Sequence, residues 1–242
     1  MPFSYRIRCA TVVLGLLGSG VLFAESPKVD SNQVLDHYLR VWRAQQSRQN
    51  GLIADVSIDA EVPRLHKHGR LAGLRRISRL GRLTYDVLRF EGDNSVKTNV
   101  IARYLAAEVQ VRDSGESLSV TPENYKFSYK GLRRTGDRDA HVFEVKPRAS
   151  RAGLFKGEIW IDAQTYLTVR ESGRFVKNPS IFIKKVEFTR DYRQEAGVAV
   201  VAQLDTTVET RLVGPAHMTV HFDDYRFEAP PLDVGQSAAG NE

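Results

Sequence analysis

Cysteine is almost absent from this sequence, and the one present, Cys9, lies close to the N-terminus. It precedes the apolar run Thr11–Phe23, whereas a bacterial lipoprotein carries its lipidated cysteine just after such a run. Removing residues 1–24 from the chain leaves no thiol at all. Disulfides, thiol nucleophiles and zinc sites built from cysteine are therefore excluded for the mature protein.

Sequence patterns of enzymes are also lacking. There is no G-x-S-x-G, no S-x-x-K with its partner motifs, and the only G-x-G cluster, at Gly18 and Gly20, lies near the N-terminus. We therefore expect a protein that is not an enzyme and that needs no cofactor.

The histidines are too few for a clear metal site. His66 and His68 share one face of a predicted strand, and His217 and His221 share another with Asp223. Two histidines and a carboxylate are a possible zinc or iron set, but no third histidine has a useful spacing. We favour exposed strand and turn residues, and we expect no metal.

The only long apolar run is short for a membrane span. Arg6 and Arg8 precede Thr11–Phe23, and Ala24 follows as a cleavage position, so the pattern predicts a signal peptide over residues 1–24. An uncleaved membrane anchor is the alternative. In both cases the bulk of the chain is expected outside the cytoplasm, and we expect the periplasm.

Removing residues 1–24 from the 242 leaves 218, enough for one β-rich domain, which we place at 25–230. The tail 231–242 is polar and predicted to be disordered. The full chain carries a net charge of +6, and the signal segment holds two arginines and no acid, so the mature chain carries +4. This mild excess favours anionic head groups over nucleic acid as a partner.

Two segments have helical periodicity and most others alternate as strands. The helices are predicted from Ser31 to about Gln45 and over Ser95–Gln110. Leu52–Val62 alternates cleanly, and His141–Phe227 is interpreted as five strands joined by tight turns. Gly131–Asp139 is interpreted as a charged loop. The predicted fold is α+β and mostly antiparallel: a curved, incomplete β-barrel covered by two or more amphipathic helices.

The concave face of such a sheet is where we expect an apolar ligand. Burying each methylene group of a lipid yields about 0.8 kcal/mol. The alternative is an ordinary core in which the helices cover the sheet completely. The large apolar residues expected to line the cavity are Tyr104, Leu105, Trp160, Phe182, Phe188, Leu204 and Phe222.

The segment Pro63–Arg82 is rich in basic residues. Arg70, Arg75 and Arg79 are the predicted contacts with lipid head groups or with an acidic partner. The alternative is an ordinary solvated strand whose charges discourage edge-to-edge aggregation.

Several stretches resemble the LolA-like family of outer-membrane lipoprotein-sorting proteins. The most specific is Leu154–Asp162 (LFKGEIWID), whose hairpin is similar to an x-I-x-I-D pattern of that family. The other matching stretches are Val96–Glu108 (VKTNVIARYLAAE), Val120–Leu132 (VTPENYKFSYKGL), Val142–Arg148 (VFEVKPR), Arg170–Tyr192 and Val208–Leu212 (VETRL). Together they span most of residues 31–227.

The resemblance implies an unclosed antiparallel sheet wrapped over helices, with a cavity for the acyl chains of lipids or lipoproteins. Since this chain lacks the lipidated cysteine of the outer-membrane acceptor type, a soluble carrier or sensor is implied. Our first hypothesis is an exported carrier of acyl chains in outer-membrane lipoprotein or lipid sorting. The second is a periplasmic interaction or sensor protein that docks a membrane-anchored partner without carrying lipid.

Overall fold

The computed structural model describes residues 30–115, 117–177, 183–211 and 214–228. These residues form one antiparallel sheet of ten strands with helices packed on one of its faces. The strands are β1 (Leu52–Val62), β2 (Lys67–Ile77), β3 (Leu83–Gly92), β4 (Tyr125–Thr135), β5 (Arg138–Pro147), β6 (Phe155–Asp162), β7 (Thr168–Phe175), β8 (Ile183–Glu195), β9 (Val198–Thr210) and β10 (Pro215–Phe227). The helices are α1 (Ser31–Gln45), α2 (Asn94–Val96) and α3 (Ala102–Asp113), with a π-helical segment, Lys97–Ile101, between the last two.

The strands lie side by side in the order β3-β2-β1-β10-β9-β8-β7-β6-β5-β4. Pairing of β1 with β10 joins the first and last described strands, and β3 and β4 are the edges of the sheet. The sheet is curved and stays open, and the helices that follow β3 lie on its concave side. The predicted fold class, an incomplete antiparallel barrel covered by helices, is confirmed.

The alternation of β1 defines the two faces of the sheet. Its side chains at even positions are buried from Leu52 to Val62, and those at odd positions are half-buried or exposed. Because alternate side chains of a strand point to opposite faces, the even positions mark the concave face. We call this the inner face, and the opposite one the outer face.

A glycine pair brings β6 and β7 close together on the inner face. Gly157 lies opposite Gly173, and a side chain built on Gly157 would come 1.9 Å from the carbonyl oxygen of Ser172. No other residue fits there, because the clash is with backbone that cannot move away.

The structure corrects two details of the predicted order. The segment Gly131–Asp139 is not a loop: β4 continues to Thr135, and β5 begins at Arg138 after a two-residue turn. Consequently six strands, β5 to β10, have residues between His141 and Phe227, whereas the sequence predicted five. The predicted signal segment and the tail 231–242 lie outside the described residues.

Candidate functional site on the concave face

Helix α1 is fixed to the sheet by buried side chains. Val34 and Tyr38 are buried, and the Tyr38 hydroxyl donates a hydrogen bond of 2.9 Å to the carbonyl oxygen of Val120. At the end of the helix, the amide of Ala199 donates to Oε1 of Gln45 at 2.9 Å, in a buried setting. Packing and buried hydrogen bonds therefore hold α1 in its middle and at its C-terminal end.

Helix α3 is attached differently. None of its side chains is fully buried, and besides the half-buried Tyr104 and Leu105 its contacts are polar. Nε of Arg112 donates to the carbonyl oxygen of Gly81 at 2.7 Å, and Nη2 of Arg112 donates to Oδ1 of Asn50 at 3.0 Å. The preceding π-helical segment is an irregularity that often marks functional sites in helices. Because α3 has no fully buried side chain, we expect it to separate from the sheet more easily than α1 does.

The central contact of α3 is a cluster that we call the polar latch, formed by Arg75, Tyr85, Tyr104 and Glu108. Nη2 of Arg75 on β2 lies 2.6 Å from Oε1 of Glu108 on α3. The Tyr85 hydroxyl of β3 donates to Oε2 of the same carboxylate, and the Tyr104 hydroxyl donates to it at 3.0 Å. The carboxylate therefore binds partners on two strands and on its own helix.

Burial alone would raise the pKa of the Glu108 carboxyl group, because it disfavours the charged form. The positive charge of Arg75 and the hydrogen bonds of the polar latch outweigh burial, so the pKa of Glu108 lies below its ordinary value of 4.5. Burial, and then the negative charge of Glu108, raise the pKa of Tyr85 and of Tyr104. At neutral pH the latch is a carboxylate held by three donors.

A second buried ion pair joins β7 and β8 on the inner face. Nη1 of Arg190 lies 3.0 Å from Oε2 of Glu171, whose side chain is only 9% exposed. The Tyr192 hydroxyl donates to the same oxygen at 2.9 Å. Both inner-face arginines lie over aromatic rings: Arg190 is 5.5 Å from the ring centre of Phe188, and the Arg75–Phe222 distance is also 5.5 Å.

The inner face also carries two groups of aromatic rings, which together we call the aromatic track. One group runs Tyr125–Phe155–Phe188–Phe175 and the other Phe127–Phe143–Tyr129, and within each group successive ring centres lie 5.0 to 6.0 Å apart, the spacing of interacting aromatic side chains. Phe127, Tyr129 and Phe175 are only partly buried, so the track reaches the surface at its ends. Its members are Tyr125, Phe127, Tyr129, Phe143, Phe155, Phe175 and Phe188.

The structure brings most of the predicted cavity residues to the inner face, where they pack against each other. Phe188, Leu204 and Phe222 are 6%, 6% and 4% exposed. Tyr104 and Leu105 of α3 are half-buried against this core. These side chains fill the space beneath the helices, so a ligand has to displace part of the cover in order to reach them.

Trp160 and Phe182 are the other two residues predicted to line the cavity. Trp160 lies on the outer face, because its neighbours Ile159 and Ile161 occupy the inner face and are fully buried. Its ring lies between Arg133 and Arg170, 5.7 and 5.8 Å from their guanidinium carbons. The expectation that Trp160 faces the cavity is therefore wrong. Phe182 lies outside the described residues.

The predicted basic contacts do not share a surface. Arg70 is on the outer face, where its Nε lies 2.7 Å from Oδ1 of Asp59. Arg75 belongs to the polar latch on the inner face. Arg79 is in the turn between β2 and β3, 3.6 Å from the carboxylate of Glu228. The expectation of one basic strand surface fails because Arg70 and Arg75 are five residues apart and point to opposite faces.

The outer face has a polar groove of about 360 Å³ across β10, β1, β2 and β3. Glu61 lies between His68 and His217 on neighbouring strands in this groove. Among the described residues, however, no group of three or more histidine, cysteine, aspartate or glutamate side chains is placed to hold a metal ion.

Sequence reasoning missed several residues of the inner face. Glu108 follows Tyr104 by one helical turn, so its position on the same side of α3 was visible in the sequence, but its partners on β2 and β3 were not. The aromatic track members Phe127, Phe143, Phe155 and Phe175 were visible only as a period of two in four separate strands. In the part of the chain that the structure describes, no helix has the length and apolar character needed to cross a bilayer.

No protein-family model matches the chain, and no curated protein matches it. Solved structures do show similarity. A DUF1329 family protein from Desulfovibrio piger is 13% identical, with a TM-score of 0.44, and the match covers 84% of this chain and 95% of that one. A domain assigned to the outer-membrane lipoprotein-sorting proteins, from Vibrio parahaemolyticus, is 12% identical with a TM-score of 0.42, over 84% and 96%.

A LolA superfamily protein from Nitrosomonas europaea is also similar, at 11% identity and a TM-score of 0.38, over 84% of this chain and 96% of that one.

Proposed function

We propose that this protein binds an apolar chain, such as the acyl chain of a lipid or lipoprotein, on the inner face of its sheet. The observation that carries the proposal is the attachment of α3. A helix without a fully buried side chain lies against the apolar inner face through the half-buried Tyr104 and Leu105, and the polar latch and Arg112 hold it there as well. Displacing it exposes a surface suited to an acyl chain.

The energies favour such an exchange. A hydrogen bond to a charged group contributes about 1.5 to 3 kcal/mol, so releasing the three donors of the polar latch costs about 5 to 9 kcal/mol. Burying about fourteen methylene groups yields about 11 kcal/mol, at about 0.8 kcal/mol for each. An acyl chain of ordinary length therefore compensates for the contacts that α3 loses when it moves aside.

Binding of a fluorescent fatty acid tests this proposal. Phe175→Ala shortens the aromatic track at a partly buried position, and we expect the affinity to fall about tenfold, the equivalent of about 1.4 kcal/mol of apolar contact. Trp160→Ala is the matched control, since it removes an aromatic ring from the outer face. The proposal is wrong if the unmodified protein binds no probe, or if the two variants lose affinity equally.

We further propose that the protein is exported and acts in lipid or lipoprotein sorting in the periplasm. Arg6, Arg8 and the run Thr11–Phe23 support cleavage after Ala24. N-terminal sequencing of the mature chain should begin at Glu25. An intact N-terminus found in a membrane pellet contradicts this prediction and supports the anchored alternative.

A second candidate function is docking of a membrane-anchored partner at edge strand β3. The observation in its favour is that this edge exposes Val87 by 51% and Leu88 by 70%, and exposed edge strands accept an added strand. Native mass spectrometry of the exported protein separates the two candidates. Co-purified lipid supports the carrier, whereas a lipid-free chain with a bound protein, lost in Leu88→Lys, supports docking.

A further inference from the structure

The register of the sheet aligns four basic residues across neighbouring strands on the outer face. Lys126 on β4 lies opposite Lys146 on β5, and Lys156 on β6 lies opposite Arg174 on β7. Val145 pairs with Gly157, so one step further along the strands Lys146 is beside Lys156. We call these four residues the cationic row. With strands roughly 4.8 Å apart, it spans about 14 Å.

All four side chains are exposed, and their sequence neighbours show which face they are on. Tyr125 and Phe155, which precede Lys126 and Lys156, belong to the buried core of the inner face. Their successors in the sequence therefore point outward. The cationic row is thus a feature of the outer face, separate from the surface beneath α3.

The cationic row is mostly uncompensated. Lys146 lies 3.0 Å from Glu144, but within the described ranges no carboxylate forms an ion pair with the other three members. Arg174 is opposite Glu187, which pairs with Lys185 at 2.7 Å instead. Like charges directly opposite each other on a sheet are destabilising. Basic residues on an edge strand discourage aggregation, which explains the lysine on β4. The same reason does not apply to the basic residues on β5, β6 and β7, which are not edge strands.

The rest of the outer face has the opposite character. The strands β8, β9, β10 and β1 carry outward carboxylates, and the arginines nearby are neutralised. Arg70 pairs with Asp59 at 2.7 Å and Arg226 with Asp55 at 2.6 Å. Charge on the outer face is therefore divided. Basic residues outnumber carboxylates on β4 to β7, where Glu144 pairs with Lys130 and Lys146 and Glu158 lies 3.7 Å from Arg133.

We propose that the cationic row is a docking surface for the head groups of an anionic phospholipid bilayer. Clusters of basic residues are attracted to anionic leaflets, each residue near the surface contributing roughly a fivefold gain in affinity. Trp160, on the same face of β6, lies between Arg133 and Arg170. An indole beside guanidinium groups suits the interfacial region of a membrane. The acidic half of the outer face is repelled by the same surface, which orients the molecule.

This docking does not depend on whether the inner face holds an apolar chain. The experiment is sedimentation of the full chain with vesicles of equal parts phosphatidylglycerol and phosphatidylcholine, and with vesicles of phosphatidylcholine alone. The test variant combines Lys126→Gln, Lys156→Gln and Arg174→Gln. The control variant combines Arg70→Gln, Arg89→Gln and Arg226→Gln. It removes the same number of charges from the outer face away from the cationic row, and each of these arginines is ion-paired, Arg89 with Glu91.

We expect binding to the anionic vesicles only, weakening between 0.1 M and 1 M salt as the screening length falls from about 10 Å to about 3 Å. The test variant should lose on the order of 100-fold in affinity, from about fivefold for each of the removed charges. The control variant should stay within about twofold, since the arginines it removes are already paired.

Equal losses in the two variants overturn the proposal, because they indicate a general effect of net charge. Equal binding to both kinds of vesicle overturns it as well. Binding of an acidic peptide such as polyglutamate, without binding to anionic vesicles, assigns the row to a protein partner and also overturns it. Circular dichroism of both variants confirms that each is folded.

Discussion

Arg75 and Arg190 place positive charge in the part of the molecule where an apolar ligand is expected. Each is paired with a glutamate and lies over a phenylalanine ring. Buried ion pairs seldom add much stability, because desolvation of both charges opposes their attraction. They do fix geometry: the Arg75–Glu108 pair sets where α3 lies on β2.

The first prediction concerns Glu108→Gln. At neutral pH the variant should be less stable than the parent by about 2 kcal/mol, because a charged acceptor of three hydrogen bonds is replaced by a neutral one. The pKa of Glu108 is depressed in the folded protein, so its contribution is present above the ordinary value of 4.5 and is lost as pH falls through the folded pKa.

Urea unfolding of parent and variant at several pH values measures this effect. The difference in unfolding free energy should shrink as pH falls below 4.5, where the parent carboxylate takes up a proton. Glu61→Gln, on the outer face, is the control. A difference that stays constant down to low pH would show that the charge of Glu108 does not hold the latch.

The second prediction compares Phe188→Ala with Trp160→Ala. Phe188 is 6% exposed between Phe155 and Phe175, so its removal leaves a cavity and should cost about 3 to 5 kcal/mol. Trp160 lies on the outer face between two arginines and should cost less than half as much. Thermal melts of both variants measure the loss of stability. Similar losses in the two variants contradict the assignment of Phe188 to the inner face and Trp160 to the outer face.

The alternation of side chains between the two faces of a strand explains which residue positions the sequence could predict. The aliphatic residues Ile159 and Ile161 define the inner face of β6, and the same alternation excludes Trp160 from it. Likewise, Leu71 and Ile77 place Arg75 inward on β2. The partner of Arg75, however, comes from a helix 33 residues further along the chain, and no local pattern reveals such a contact.

At the scale of elements, α1 and α3 differ in how they are attached, and this difference gives the third prediction. Native-state hydrogen exchange should be at least about tenfold faster in the amides of Ala102–Asp113 than in those of Ser31–Gln45, since α3 opens without unfolding the sheet. Addition of a fatty acid should change exchange in α3 and leave α1 unaffected. Equal protection of both helices would rule out α3 as the cover that opens.

The predicted elements were most accurate where one face is buried. The strand predicted at Leu52–Val62 has the same bounds as β1, since strict alternation leaves no other register. The segment Gly131–Asp139 was misjudged because β4 and β5 end in an exposed hairpin of charged residues. The sheet holds them there through main-chain pairing, as in Arg133 opposite Ala140, and not through apolar side chains.

For the whole molecule, the two faces of the sheet have separate roles in the proposals above: the inner face binds an apolar chain, and the basic half of the outer face meets a membrane. Such a division has a cost in stability, because Lys126, Lys146, Lys156 and Arg174 repel one another across neighbouring strands. A sequence shaped by stability alone would alternate their signs, as it does at Arg70 and Asp59.

The fourth prediction follows from that cost. The combination of Lys126→Gln, Lys156→Gln and Arg174→Gln should raise the melting temperature by about 2 to 4 °C, since relieving like-charge pairs worth about 0.2 to 1 kcal/mol each gains about 1 kcal/mol in total. The gain should shrink at high salt, where the repulsion is already screened. Arg70→Gln with Arg89→Gln and Arg226→Gln should leave the melting temperature unchanged or slightly lower, because it breaks exposed ion pairs. If both combinations lower the melting temperature alike, the residues of the cationic row do not repel one another. Their presence on the non-edge strands β5, β6 and β7 then needs no functional reason.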